Sequence, residues 1–332
     1  MFSPASLATG ALLFASATSV HAWGNSGHET IGYIAQAFLG PKTLAFVQKT
    51  LDSSYSGQLG PAAIWADSIK YSTGWTWSQA LHYIDANDSP LSGSCSVSDS
   101  RDCDGDCILT ALTNYTSRVV NTALSVSEQD IALKFITHFI GDIGQPLHCE
   151  AYEVGGNDID EKFDGTSTEL HAVWDTYIPE KTIKLNHSNS ITTYASDLVT
   201  KIKTGTYKSL AASWINCTNP TLHQRRSLDL DERSFIPDST HDMPMLSNRA
   251  STTDLECPLE WAKDSNSYVC STGTITFART SALVFTGYTA SDLGTTYYTN
   301  NAPIVDLQIA KSGYRLAAWL NTLFDGTAMP SS

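Results

Sequence analysis

THFIGDIGQPLH at residues 137–148, followed 23 residues further on by HAVWD at 171–175, decides how the chain is read. A His and an Asp four apart on a helix lie one above the other on a single face. His138 with Asp142, and His171 with Asp175, can therefore each grip a cation. His148 lies between the two pairs, and the combination points to a site for more than one metal ion.

Outward from this stretch the apolar spacing is helical. Ser127 with Asp130 predicts a helix start, and the helix runs through Phe135, Ile136, Phe139 and Ile140 to about Ile143, where Gly144 and Pro146 stop it. Thr168 to Ile178 reads as a short helix closed by Pro179. Ser26 with Glu29 fits a capping box opening a helix through Leu39, and Pro41 suits the first turn of the next. Further helical patterns occupy 61–70, 106–124, 190–204, 257–269 and 303–324. Alternating strand patterns are scarce, so the expected fold class is mostly α in a single domain.

The chain has 332 residues and 42% hydrophobic content, enough for a substantial core. Residues 2–22 are small and apolar and end in Val20-His21-Ala22, a small-x-small cleavage signature. They read as a secretory signal peptide, although the segment lacks Lys or Arg before its apolar run. The protein is expected to be secreted, to start at Trp23 and to have no membrane span. Seven cysteines follow the leader, an odd count in a chain expected to oxidise them. Cys103 and Cys107 are close enough for a local loop, and Cys95 needs a distant partner. Sequons at Asn87, Asn114, Asn186 and Asn216 are candidate glycosylation sites.

The net charge of −14 argues against gripping duplex nucleic acid by neutralising phosphates. It leaves open a substrate held by metal ions and by base stacking. Residues 219–249 carry four of the eight arginines and show no amphipathic period. They read as a solvated insertion or as a translated intron.

The candidate ligands, in chain order, are Trp23, His28, Asp67, His82, His138, Asp142, His148, His171 and Asp175. Imidazole mixed with carboxylate suits zinc better than calcium or magnesium. A lone histidine on an apolar helix is ordinarily a core residue with its hydrogen bonds satisfied. Five of the chain's nine histidines fall in this set, however, and two have Asp at i+4.

These residues carry a specific resemblance. Trp23-Gly24-x-x-Gly27-His28, Trp65-Ala66-Asp67, His82-Tyr83-Ile84-Asp85, HFIGDIGQPLH and LHAVWD resemble the fungal secreted zinc-dependent single-strand nucleases of the S-one/P-one type. That fold is shared with bacterial zinc phospholipases C. The resemblance implies one nuclease domain over 23–325, with an insertion at about 219–249. It implies three Zn²⁺: one held by Asp67, His82, His138 and Asp142, a second by His148, His171 and Asp175. The third would take His28, a bridging Asp142, and the α-amine and carbonyl of Trp23, an amine free only after leader removal.

The same resemblance gives Asp67 the task of orienting an attacking hydroxide. It places Lys70 where some relatives use Arg to stabilise the transition state; read alone, Lys70 is a solvated helix lysine. Tyr83 and Val154 match positions that sandwich a base, and Asp85 and Asn157 match groups that hydrogen-bond it. Glu169 departs from the family, which commonly has Asn there. Similarity suggests disulfides Cys95–Cys270 and Cys103–Cys107; Cys217 and Cys257 flank the insertion and could tie off its base, leaving Cys149 unpaired. The activity implied is hydrolysis of single-stranded DNA and RNA to 5′-phosphate products, with 3′-nucleotidase action, by a monomer. A phospholipase C would instead show an exposed apolar rim, and a non-catalytic zinc protein would lack ligands.

Overall fold

The structure, a computed structural model, describes residues 23–217, 256–270 and 292–329. The expected leader and the 219–249 segment lie outside these residues. The helix Val126–Asp142 runs through the middle of the core. It opens at a capping box two residues upstream of the expected one. Ser125 Oγ accepts from the Glu128 N–H at 3.2 Å, and Glu128 Oε2 accepts from the Ser125 N–H at 3.0 Å. Asp130, the expected cap partner, instead pairs with Lys134 at 2.7 Å and accepts from the Asp52 N–H. Ala132, Leu133, Phe135, Ile136, Phe139 and Ile140 are all fully buried, while Asp130, Lys134, His138 and Asp142 line up at i+4 along a buried polar face.

Around it pack α1 (Asn25–Gln36), α2 (Pro41–Thr50), α3 (Leu59–Ala63), α4 (Trp65–Ile69), the helix Ile108–Val119 and the last helix, Thr296–Phe324. The Ser26/Glu29 box does not form. α1 starts from Gly24, whose N–H donates to the Asp175 carbonyl at 2.8 Å, so tertiary contact fixes that helix end. Pro41 sits in the first turn of α2, and Gly40 before it has no side chain to cap with. Asp325 serves instead, accepting from the Lys42 N–H at 3.2 Å and the Thr43 N–H at 3.0 Å. α1 and α3 cross where two glycines meet: a Cβ on Gly32 would lie 2.6 Å from Gly60 Cα.

The last helix begins at Thr296, ahead of the expected 303, and carries Pro303 within it. Gln308 Nε2 donates to the Gly144 carbonyl at 2.9 Å, which ties this helix to the turn that ends the central one. Gly313 brings it against Ile34 of α1.

Two features depart from the expected 168–178 helix. Asp160–Phe163 (β1) and Thr166–Glu169 (β2) form an antiparallel hairpin in the register Asp160↔Glu169 to Phe163↔Thr166. Its turn residues Asp164 and Gly165 have φ of 49° and 80°, the conformation that Asp-Gly favours. The chain then turns helical at Leu170–Ala172, widens into a π-helical turn at Val173–Tyr177 and continues as Ile178–Asn186. Pro179 therefore opens the last of these segments, where its missing N–H costs little.

Disulfides join Cys95–Cys270, Cys103–Cys107 and Cys217–Cys257, and Cys149 is a buried free thiol. No helix among the described residues is long and apolar enough to cross a membrane.

Candidate metal centre

Eight of the nine candidate ligands present their side chains from separate pieces of helix. His28 comes from α1, Asp67 from α4, and His82 from the end of a 3-10 turn, Thr76–His82. His138 and Asp142 occupy the last turns of the central helix, and His148 the short 3-10 turn Pro146–Cys149. His171 and Asp175 follow the hairpin. None of the eight exceeds 5% exposure.

The geometry is that of a cation cage. His82 Nδ1, His138 Nε2, Asp67 Oδ1 and Asp142 Oδ2 converge from three separate pieces of chain. The separations are His82–Asp142 3.0 Å, His82–His138 3.0 Å, His82–Asp67 3.5 Å, His138–Asp67 3.4 Å and His138–Asp142 3.2 Å. Donors about 2.0–2.1 Å from a tetrahedral ion lie about 3.3 Å apart. These separations suit side chains that converge on a common cation.

His28 joins the same cluster. Its ring stacks on His138 with centroids 3.8 Å apart, and its Nε2 lies 3.0 Å from Asp142 Oδ1. Neither of these two atoms finds an aligned hydrogen bond despite the short distance. A second group repeats the pattern: His171 Nε2 is 2.9 Å from Asp175 Oδ2, and His148 Nε2 is 3.8 Å from it. All three atoms are buried without a hydrogen-bond partner. Lone pairs that converge at such distances and miss one another have the arrangement of ligands to a common ion.

The ring orientations are fixed from behind. His138 Nδ1 meets the Ala63 carbonyl at 2.6 Å, His148 Nδ1 the His82 carbonyl at 2.9 Å, and His171 Nδ1 the Gly155 carbonyl at 2.7 Å. A carbonyl only accepts, so each Nδ1 carries the proton and each Nε2 presents its lone pair to the site. Gln145 Nε2 donates to Asp175 Oδ1 and its Oε1 accepts from the Leu147 N–H, bracing the second group. The sequence carries little sign of these supporting contacts. Gln145 was visible inside the GQPLH run, whereas a backbone carbonyl leaves no residue-type signal.

Electrostatics demand positive charge here. Asp67, Asp142 and Asp175 are buried, and of the lysines only Lys70 pairs with one of them, its Nζ 2.7 Å from Asp67 Oδ1. Burial pushes the Asp67 and Asp142 carboxyls up, but His138 and His82, with Lys70 beside Asp67 and His28 beside Asp142, together outweigh it and hold both well below the usual range. Burial pushes His138 down, yet Asp142 and Asp67 raise it to about 10. Burial lowers His82 to about 4 and also lowers His28, the state a metal ligand needs.

Trp23 is fully buried beside this cluster, its Cβ against Gly27 and its neighbour Gly24 bonded to Asp175. Among the described residues a further group, Asp88, Cys95 and Glu150, also brings ligand atoms together. Cys95 is oxidised to Cys270, so that group offers no thiolate. Cys149 contributes to none of these clusters; burial raises its thiol far above the usual range.

The proposed base contacts lie beside the cage. Ile84 N–H donates to the His148 carbonyl at 2.9 Å and Ala151 N–H to the Ala86 carbonyl at 3.2 Å, so residues 82–86 and 148–151 run alongside each other. Tyr83 is 41% exposed on the first strand of chain, with Asp85 at the surface next to it. Directly after the second comes a left-handed turn: Glu153, Val154, Gly155 and Gly156 have φ of 48°, 55°, 61° and 81°. For residues with a Cβ this conformation costs about 1–2 kcal/mol each. Val154 is 62% exposed on that turn, and Asn157 Nδ2 donates to the Val154 carbonyl at 2.6 Å. Of the sequon residues, Asn87, Asn186 and Asn216 are exposed and Asn114 is half-buried on the helix Ile108–Val119.

Residues 23–325 match the family model described as S1/P1 Nuclease. The chain belongs to the S1/P1 nuclease family. It is 37% identical over 302 residues to "Nuclease P1" of Penicillium citrinum, covering 91% of this chain and 97% of that one. It is 38% identical over 321 residues to "Nuclease S1" of Aspergillus oryzae, covering 96% and 98%. With "Endonuclease 2" of Arabidopsis thaliana the identity is 30% over 326 residues, covering 94% of each. As a member of the S1/P1 nucleases the chain is a metal-dependent hydrolase of phosphodiester bonds in nucleic acids, and its mostly helical architecture is that family's fold. Its His/Asp groups are the places where metal can bind.

Proposed function

We propose that this nuclease is a secreted, single-strand-specific endonuclease that cuts DNA and RNA to 5′-phosphate products and removes the phosphate of 3′-nucleotides. Its cofactor would be three Zn²⁺. Asp67, His82, His138 and Asp142 would hold the first and His148, His171 and Asp175 the second. His28, Asp142 and the freed terminus of Trp23 would hold the third. When bound, zinc supplies Lewis-acid polarisation of the phosphoryl group and lowers the pKa of water, making a nucleophile available near neutral pH.

The chain's own residues set the geometry of that reaction. The Asp67 carboxylate, held by Lys70, orients the attacking water toward phosphorus. The Lys70 ammonium faces the charge that grows on the phosphoryl oxygens. Tyr83 and Val154 take the base between them, with Asp85 and Asn157 meeting its polar edge. Stacking on Tyr83 is worth about 1–3 kcal/mol and is open only to an unpaired base.

The observation that carries this reading is the side-by-side course of 82–86 and 148–151. Exposed Tyr83 follows the ligand His82 on one of these segments and His148 begins the other, which supports a base stacking there with its phosphate near the cage. The test compares a single-stranded oligonucleotide with the same sequence as a duplex, with and without EDTA. Rapid cleavage of the single strand, slow cleavage of the duplex and loss of both in EDTA are expected. Equal rates on the two substrates would remove the single-strand specificity, and EDTA-resistant cleavage would remove the metal role.

A further inference from the structure

Four successive left-handed residues are an expensive way to build a surface turn, and the contacts made from Glu153–Gly156 explain why this one persists. The Gly155 carbonyl accepts the His171 Nδ1–H at 2.7 Å, and the His171 Nε2 on the far side of the ring lies 2.9 Å from Asp175 Oδ2. One residue earlier Val154 stands 62% exposed, with no burial to compensate a β-branched side chain at φ 55°. Asn157 Nδ2 fastens the turn through the Val154 carbonyl at 2.6 Å.

We propose that Glu153–Gly156 is a positioning element. One rigid piece of backbone aims His171 at its cation through Gly155 and holds Val154 at the base site. The inference rests on the nuclease reading above, in which Val154 walls the base. In a right-handed turn the Gly155 carbonyl would point elsewhere and His171 would lose the acceptor that fixes its tautomer. The left-handed course of the turn therefore links metal retention, through the Gly155 carbonyl, to base binding through Val154.

Glycine chemistry separates the two functions. A Cβ on Gly155 would strike the Leu147 carbonyl at 2.6 Å. A Cβ on Gly156 meets nothing nearer than 3.5 Å, so alanine fits there and only the φ of 81° resists it. Gly156→Ala thus loads strain onto the turn without filling space, and Asn157→Ala removes its fastening. Val154→Gly does the reverse, relaxing the backbone and deleting the wall.

The test uses zinc-loaded full chains. Bound zinc is measured across a chelator titration with no substrate present, and KM and kcat are measured on a single-stranded dinucleotide. Gly156→Ala and Asn157→Ala are expected to release part of their zinc at about tenfold lower chelator, with helical circular dichroism retained. Val154→Gly is expected to keep wild-type zinc retention while KM rises about tenfold. Wild-type zinc retention in both Gly156→Ala and Asn157→Ala would overturn the positioning role. An unchanged KM in Val154→Gly would instead overturn the base-wall reading beneath it.

Discussion

The Lys70 ammonium donates to Asp67 Oδ1 at 2.7 Å, and both side chains are shut away from solvent. Read from sequence alone this lysine is a solvated helix residue; in the fold it is an ion-pair partner of a cage carboxylate. Replacing it by methionine keeps the stem and deletes the charge. Lys70→Met is expected to lower kcat about a hundredfold with zinc content unchanged. Lys70→Arg should retain more activity than Lys70→Met. Steady-state kinetics beside metal analysis decide it, and a Lys70→Met enzyme with wild-type kcat would end the catalytic assignment.

The cation cage was legible in the sequence because its grammar is local. His138 with Asp142 and His171 with Asp175 announce themselves by spacing on a helix. The carbonyls of Ala63, His82 and Gly155 that aim the rings have no such signature. The left-handed turn was hidden for a different reason, since a β-branched Val154 is the last residue type expected at positive φ. The hairpin could have been found from Asp164-Gly165, but its strands, DEKF and TSTE, are too polar to show strand alternation. Ser26 misled because a tertiary contact, from Gly24 to Asp175, fixes the start of that helix; Ser127 misled because a second local capping box, Ser125 with Glu128, lies two residues upstream.

Metal and fold are expected to be linked. An ion that binds only the folded chain adds about 2.7 kcal/mol per site at a hundredfold excess over its dissociation constant. Removing zinc with EDTA should therefore lower Tm by about 5 °C or more, with recovery on adding zinc back. Calorimetry with and without chelator checks this, and an unmoved Tm would mean that the cage is stable empty.

Asp325 should give stability a dependence on acid. Burial pushes its carboxyl up, but bonds from Thr43 and Lys42 outweigh that and hold its pKa below the usual value. A carboxylate depressed on folding contributes fully above its unfolded pKa of about 3.9 and loses that contribution as pH falls through the folded value. Asp325→Ala is expected to cost about 1 kcal/mol at neutral pH, the usual worth of a helix cap. The gap from wild type should narrow as pH falls through the lowered folded value. Thermal melts across pH measure it, and a gap that persists in acid would assign the loss to packing.

The crossing of α1 and α3 has no room for a methyl group. Gly32→Ala would place its Cβ 2.6 Å from the Gly60 backbone, which cannot yield as a side chain can. A loss of about 1–3 kcal/mol in urea denaturation is expected. Because α1 also carries His28, zinc content should fall with it. A variant of wild-type stability would show that the two helices slide apart freely.

The amine of Trp23 provides a test of maturation. Placing one extra residue ahead of Trp23 removes the free amine that the proposed third ion needs. Lower zinc content and lower activity are expected, measured on purified extended and unextended chains. Full activity with a full metal complement would contradict the role given to leader cleavage.

The last helix has a consequence for the order of events during synthesis. It packs against α1, α2 and the central helix, and Asn321 bonds Gly40 and Phe38 across most of the chain. Every ligand side chain leaves the ribosome by Asp175, well before the segment that presses their helices together. A growing chain therefore carries the side chains of its cage before the helix that braces them, so cleavage competence should arrive late, with Thr296–Phe324.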